Sequence, residues 1–203
     1  MNGMNDLLLV GAGSDPHVGS IFGAFSTPSY PIVLSTLGTT DWAAWGVSGG
    51  TGTYGFVDKS GGGTQISNVT PVSMNGSGSS AATFTWTGGT PVSTGTAEGG
   101  TIYSVGSGSA TFTVPAGLTS HTLVIFTTCG VWSSGTGSLT LTASLSDGSA
   151  TPYTGTQTQT GFGNNQGAFT IAFSARSNSQ TLTVEVQTSS GNTNACLSAA
   201  YLI

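Results

Sequence analysis

The sequence predicts an all-β protein, an antiparallel, jelly-roll-like β-sandwich with an extended N-terminal arm. Three observations predict it. Short stretches in which apolar residues alternate with Thr or Ser recur along the chain. Clusters of Gly, Ser, Asn and Pro separate them. No window carries apolar residues at the spacing of an amphipathic helix, and good helix formers are scarce. The 203 residues suit one domain of ordinary size.

Taken in order, the chain begins with a segment unlike the rest. Residues 1–37 hold Pro16, Pro28 and Pro31 and the short apolar pieces 7-LLLV-10 and 20-SIFGAF-25. Such a segment is too apolar for a free tail. It is expected to dock on its own domain, a neighbouring subunit or a larger assembly through Leu7, Leu8, Leu9, Ile21 and Phe22. The sandwich is expected over residues 38–203. Its strands are read at 82-ATFTWT-87, 109-SATFTV-114, 121-HTLVIF-126, 138-SLTLTASL-145, 168-AFTIAF-173, 181-TLTVEV-186 and 195-ACLSAAYLI-203. Turns are read at 74-MNGSGSS-80, 88-GGTP-91, 146-SDGS-149, 163-GNNQG-167 and 189-SSGN-192. Along each strand Phe, Val, Leu and Ile face inward and Thr faces outward.

Composition limits the function. Charged residues make up 4% of the chain, and Lys59 and Arg176 are the whole basic complement. Two cations cannot neutralise a row of phosphates, which excludes nucleic acid as a partner, and they attract anionic membranes just as weakly. No run of 18 apolar residues predicts a membrane span. The N-terminal residues lack the basic region and the long apolar stretch of an export signal. A neutral surface of hydroxyls and amides suits proteins that work outside cells or on assembled particles.

Several phrases occur together: 40-TDWAAWG-46, 65-QISN-68, 84-FTWTGGTP-91, 111-TFTVPAGLTSHTLVIF-126 and 139-LTLTASLSDGSATPYT-154. In this order they resemble a small β-sandwich module that recurs in bacterial secreted and surface proteins, often beside glycan-active domains, and in phage structural proteins. The resemblance covers about residues 35–203. It implies a jelly-roll-like sandwich with a non-catalytic role in binding or display, and no catalytic residues carry over from it. The sequence departs from the pattern twice. The basic residues that usually follow the Trp pair are thinned to Lys59, and the arm before residue 35 has no counterpart.

The chemistry-bearing residues are sparse. Gly46-Val47-Ser48-Gly49-Gly50 fits a nucleophile elbow by letter, but no helix pattern follows it. Its base would have to be His17, in the arm, or His121, which opens a strand. The seven acids are isolated, with no pair placed to flank a glycosidic bond. Asp41, Asp58 and Asp147 read as side chains that hold turn amides. No His or Cys pair has metal-ligand spacing, so no cofactor is expected. Calcium alone stays open, although no dense acidic loop is present. Cys129 and Cys196 read equally well as one disulfide and as two buried thiols.

The aromatic residues offer the one ligand hypothesis. Trp86 lies on the same strand face as Phe84 and reads as core, and Trp132 is placed to cap the sandwich. Trp42 and Trp45 are three residues apart, so on a strand they face opposite sides, one buried and one free. A structural role for both outranks a sugar-stacking platform. In the platform reading Trp42, Trp45 and Tyr54 stack on a cell-surface glycan, and Asp41 and Asp58 bind its hydroxyls. The expected function is a non-catalytic phage virion protein, a capsid decoration or short fibre, anchored by its arm to capsid or other virion subunits. It is expected to be homo-oligomeric and to sit on the virion surface. The alternative is a secreted carbohydrate-binding or adhesion module with an extracellular location.

Overall fold

The computed structural model describes residues 18–53, 55–72, 76–105, 108–188 and 193–203. In chain order the elements are β1 (Ser20–Ser26), β2 (Ile32–Val33), the one-turn helix α1 (Leu34–Leu37), β3 (Asp41–Ala44), β4 (Val57–Lys59), β5 (Thr70–Val72), β6 (Gly76–Thr87) and β7 (Gly89–Thr90). They continue with β8 (Thr94–Val105), β9 (Ser109–Ala116), β10 (His121–Val131), β11 (Thr136–Leu145), β12 (Tyr153–Thr160), β13 (Gly163–Ser174), β14 (Gln180–Thr188) and β15 (Thr193–Leu202).

These strands build an antiparallel β-sandwich. The small sheet runs β12-β11-β14-β9-β5, and the large sheet runs β1-β13-β10-β15-β3-β4-β7, with β8 also on β15 and β6 on β8. Period-two alternation explains the core between them. Leu139, Leu141, Ala143 and Leu145 of β11 point at the same layer as Phe112 and Val114 of β9 and Leu182 and Val184 of β14. Opposite them stand Leu123 and Ile125 of β10, Phe169, Ile171 and Phe173 of β13, and Leu197 and Leu202 of β15. Most of the intervening Thr side chains are half-buried or exposed, as the alternation predicts.

The large sheet buries its other face as well. Ile32, Leu34, Trp42, Ala44, Val57, Phe84, Trp86 and Phe126 form a second apolar cluster there, with Tyr30 packed against it. The chain from β2 through α1 covers this face. Lys59 fastens the end of α1, donating from Nζ to the carbonyls of Gly38 at 3.0 Å and Thr39 at 2.5 Å.

Several expectations are corrected. The boundary at residue 37 does not hold, because Ser20–Ser26 is a strand of the large sheet, in register with β13 from Ser174 to Ala168. A strand that completes the sheet's ladder and lays Ile21 against the core is part of the domain rather than an arm. The turn read at 163-GNNQG-167 is the first half of β13, and from Gly76 onward the turn read at 74–80 is β6. Both stretches are polar, and their strand conformation is set by pairing with neighbours rather than by local preference. The strand β12, 153-YTGTQTQT-160, has almost no apolar alternation and gave no signal in the sequence.

Candidate functional site

Trp42 and Trp45 take the structural role ranked first from the sequence, not that of the sugar-stacking platform weighed against it. Trp42 and Trp45 do face opposite sides, as their spacing requires. Both are fully buried, because the sheet between them has a core on each face. Trp42 packs on Trp86, and Trp45 lies 5.2 Å from Phe112, centroid to centroid. Neither ring has a face open to a ligand. Trp86 joins Phe84 in the second core, as read from the sequence. Tyr54 lies outside the described residues.

Asp41 is buried and fully committed to backbone. Its Oδ1 accepts from the Trp42 N–H and its Oδ2 from the Ile66 N–H, each at 2.9 Å. Burial raises its pKa; the backbone hydrogen bonds pull it back down in part, and the nearby Asp58 pushes it up again. Asp58 accepts from the Thr64 hydroxyl at 2.8 Å. Asp147 holds the N–H groups of Ser149 and Arg176 at 3.0 and 3.1 Å, a structural turn role. Ser48 is exposed in a loop whose flanking Gly46 and Gly49 have positive φ, and no helix follows it, so the nucleophile-elbow geometry is absent.

Of the two readings open for the cysteines, the structure has the buried thiols. Both cysteines are free and buried. Thr128 stands opposite Cys196 in the β10–β15 register, and Cys129 stands opposite Ala195. Opposed residues share a face and successive residues alternate, so the two sulfurs lie on opposite faces of the sheet. Burial pushes the Cys129 thiol up, which keeps it protonated and unreactive. Among the described residues no three His, Cys, Asp or Glu side chains converge on a metal position. Of the residues assigned to anchoring, Leu7, Leu8 and Leu9 lie outside the described residues. Ile21 is half-buried in its own domain, and Phe22 is exposed on β1.

The features with open chemistry gather elsewhere, at the end of the large sheet where β10 leaves and β13 enters. Trp132 is 58% exposed and Phe162 is 78% exposed. The β10–β13 ladder closes with Val131 opposite Gly163. Trp132 follows β10 and Phe162 precedes β13, each in the bend next to that last pair. Cys129 points into the sandwich core, which by alternation sends positions 128 and 130 to the other face.

On that face the residues beside Gly130 are mostly polar; Thr128, Gly130 and Asn194 are buried and Asn164 is exposed. Gly130 is flanked by Asn164 on β13 and Asn194 on β15, and Thr128 by Gln166 and Cys196. A Cβ at Gly130 would come within 2.7 Å of Asn164 Oδ1, so glycine leaves room for that amide. The Oγ1 of Thr128 and the Oδ1 of Asn194 are buried and have no hydrogen-bond partner.

The turns that hold the rings are braced from below. The Gly161 N–H donates to the Gly135 carbonyl at 2.7 Å, tying the β12–β13 turn to the β10–β11 turn. Gln157, buried under β13, accepts from Thr127 Oγ1 at 2.8 Å and donates to the Asn165 carbonyl at 2.7 Å. Asn165 Nδ2 returns a bond to the Thr158 carbonyl at 2.7 Å. The two aromatic residues therefore stand on fixed backbone. A concavity of about 340 Å³ lies at the start of β1, between Ser20, Phe22, Ser149 and Thr151. Its lining has hydroxyls but no amide or charged side chain to orient a ligand.

Sequence reading placed Trp132 as a cap and passed over Phe162, Asn164 and Gln166. The available signal was 161-GFG-163, an aromatic between two glycines where no apolar alternation could hold it in a core. It went unseen because β12 was not recognised, so its turn had no flanks.

No protein-family model matches the sequence, and no curated protein matches it. Two solved structures bear a distant likeness to this chain. One is the carbohydrate-binding module TmCBM61 in complex with β-1,4-galactotriose, at 11% identity and TM-score 0.40, covering 68% of this chain and 88% of that one. The other comes from a study of promiscuous specificity in carbohydrate-binding modules of the β-sandwich superfamily. It is 11% identical with TM-score 0.30, covering 92% of this chain and 98% of that one. At these values neither likeness bears on the ligand, and the fold rests on the strand pairing itself.

Proposed function

We propose that this chain is a non-catalytic module that binds neutral carbohydrate outside the cell. The observation that carries the reading is the exposure of two large rings, Trp132 and Phe162, in the braced turns that flank the Val131–Gly163 pair, near the polar side chains Asn164 and Gln166 in sequence and register. Soluble domains seldom leave two large aromatic residues together in water without a use for them. The C–H faces of a pyranose are apolar and pack on a flat ring, and its hydroxyls both donate and accept, as side-chain amides do. No charged side chain is among these residues, which suits an uncharged ligand. The two distant structural neighbours are themselves carbohydrate-binding modules, which accords with this reading but carries no weight for it.

The test is binding of the full chain to an array of immobilised neutral polysaccharides, repeated with a Trp132→Ala/Phe162→Ala double variant. Binding by the parent, lost in the variant at an unchanged melting temperature, supports the site. Absence of binding by the parent overturns the function, and retained binding in the variant overturns the placement. Hydrolysis of any bound polysaccharide overturns the non-catalytic assignment.

A further inference from the structure

The edges of the two sheets are not protected alike. At one end of the large sheet, β7 is only two residues long and Pro91 follows it. In the small sheet, β5 carries Pro71 and β12 is a row of Thr and Gln. Short length, proline and polar side chains are the usual means of keeping an edge from pairing with another chain. The edge strand β1 uses none of them. It is seven residues, 20-SIFGAFS-26, with no charge, no proline and no register shift against β13. Phe22 is 72% exposed and Phe25 38% exposed.

About Gly23 the strand is symmetric in polarity, with a serine at each end and two apolar residues on each side. Ser20 mirrors Ser26, Ile21 mirrors Phe25, and Phe22 mirrors Ala24. We infer that β1 is a self-association edge, which pairs antiparallel with β1 of a second copy of this chain across a twofold axis at Gly23. In that register every position meets a compatible one. Ser20 faces Ser26 of the second copy, so hydroxyl meets hydroxyl. Phe22 lies over Ala24 of the second copy on the outer face, large beside small. Ile21 meets Phe25 of the second copy on the inner face, where Phe25 already packs on Phe169 at 5.0 Å and Ile21 on the sandwich core. The inner layer thus continues across the axis.

Gly23 suits the centre of such a pair. The Tyr153 ring of β12 sits 2.4 Å from where its Cβ would be, so the ring closes the sandwich directly beneath the axis. The contact is isologous and closes at two copies, since the described residues of each chain have one such edge.

Sedimentation velocity on the full chain tests the inference. The parent is expected at twice its 20.1 kDa mass. A Phe22→Asp/Ala24→Asp variant sets like charges against each other across the axis and is expected to sediment as a monomer. A Phe22→Lys/Ala24→Lys variant is expected to do the same, and an equal mixture of the two is expected to restore the dimer. A monomeric parent, or a dimer that survives the charged pair, overturns the inference. A mixture that stays monomeric overturns the register. If the charged variants fail to fold, amide exchange on the unaltered chain decides. Protection over residues 20–26 that rises with protein concentration supports the edge, and protection independent of concentration overturns it.

Discussion

Identical residue types take opposite roles here according to which layer receives them. Trp45 fills the core between the sheets, and its indole N–H is buried without a partner. Trp45→Ala is expected to cost about 3–5 kcal/mol by denaturant unfolding, the usual range for an emptied aromatic site. Trp45→Phe is expected to cost much less, because it keeps most of the volume and removes the unpaired donor. Trp132→Ala, at an exposed turn, is expected to stay within about 0.5 kcal/mol of the parent. Asp41 adds a pH dependence. Its folded pKa is raised, chiefly by burial, so between the unfolded value near 3.9 and the folded one the native state binds more proton than the unfolded chain. Stability contributed at this position is therefore full below the unfolded value and falls as pH rises through the folded one. Asp41→Asn is expected to remove that slope in unfolding measured from the acid range to neutrality. It is also expected to lower stability throughout by about 1–3 kcal/mol, since an amide cannot accept from both the Trp42 and Ile66 N–H groups.

Elements decide whether such residues can act. The β12–β13 turn that lifts Phe162 depends on Gln157, whose amide bridges Thr127 and Asn165. Gln157→Ala leaves a buried hydroxyl on Thr127 unpaired, at a cost of about 1–3 kcal/mol. It is also expected to weaken polysaccharide binding without touching the ligand, read as a rise in Kd at temperatures where the variant is still folded. The same element marks the limit of sequence reading. The strands β9, β11 and β14 were legible because each alternates against one apolar layer. The polar strand β12 was not, because its place is fixed by backbone pairing with β11 and by one buried amide. The first half of β13 looked like a turn for the same reason. The tryptophan spacing correctly gave opposite faces. It misled on exposure, since it assumed a sheet with one wet face, and the cover made by β2 and α1 draws on distant residues such as Phe84 and Phe126. The binding rings were missed because an aromatic residue in a turn has no periodicity to declare it.

At the scale of the whole molecule, the scarcity of charge predicts how any binding will behave. The chain carries two cations and seven anions, and none of them lies among Trp132, Phe162, Asn164, Gln166 and Gly130. Ionic screening acts over about 10 Å at 0.1 M salt and weakens only interactions that involve charge. Stacking and amide–hydroxyl bonds have nothing to screen, so Kd for a bound neutral polysaccharide is expected to stay within about twofold between low and high salt. A steep loss of affinity on adding sodium chloride would instead point to an anionic ligand held by Lys59 or Arg176, far from the proposed rings in sequence. If β1 pairs two chains about a twofold axis, the large sheets join and the two ring sites lie at opposite ends of one surface. A surface-bound polymer could then engage both, raising apparent affinity through effective concentration rather than through new contacts. The signature is a difference between formats: the Phe22→Asp/Ala24→Asp variant is expected to match the parent on a short soluble oligosaccharide, where only one site is filled. On an immobilised polysaccharide it is expected to bind more weakly by a factor of about 10²–10⁴, the gain that bivalency allows. Equal loss in both formats would mean that the edge and the ring site are coupled within one chain.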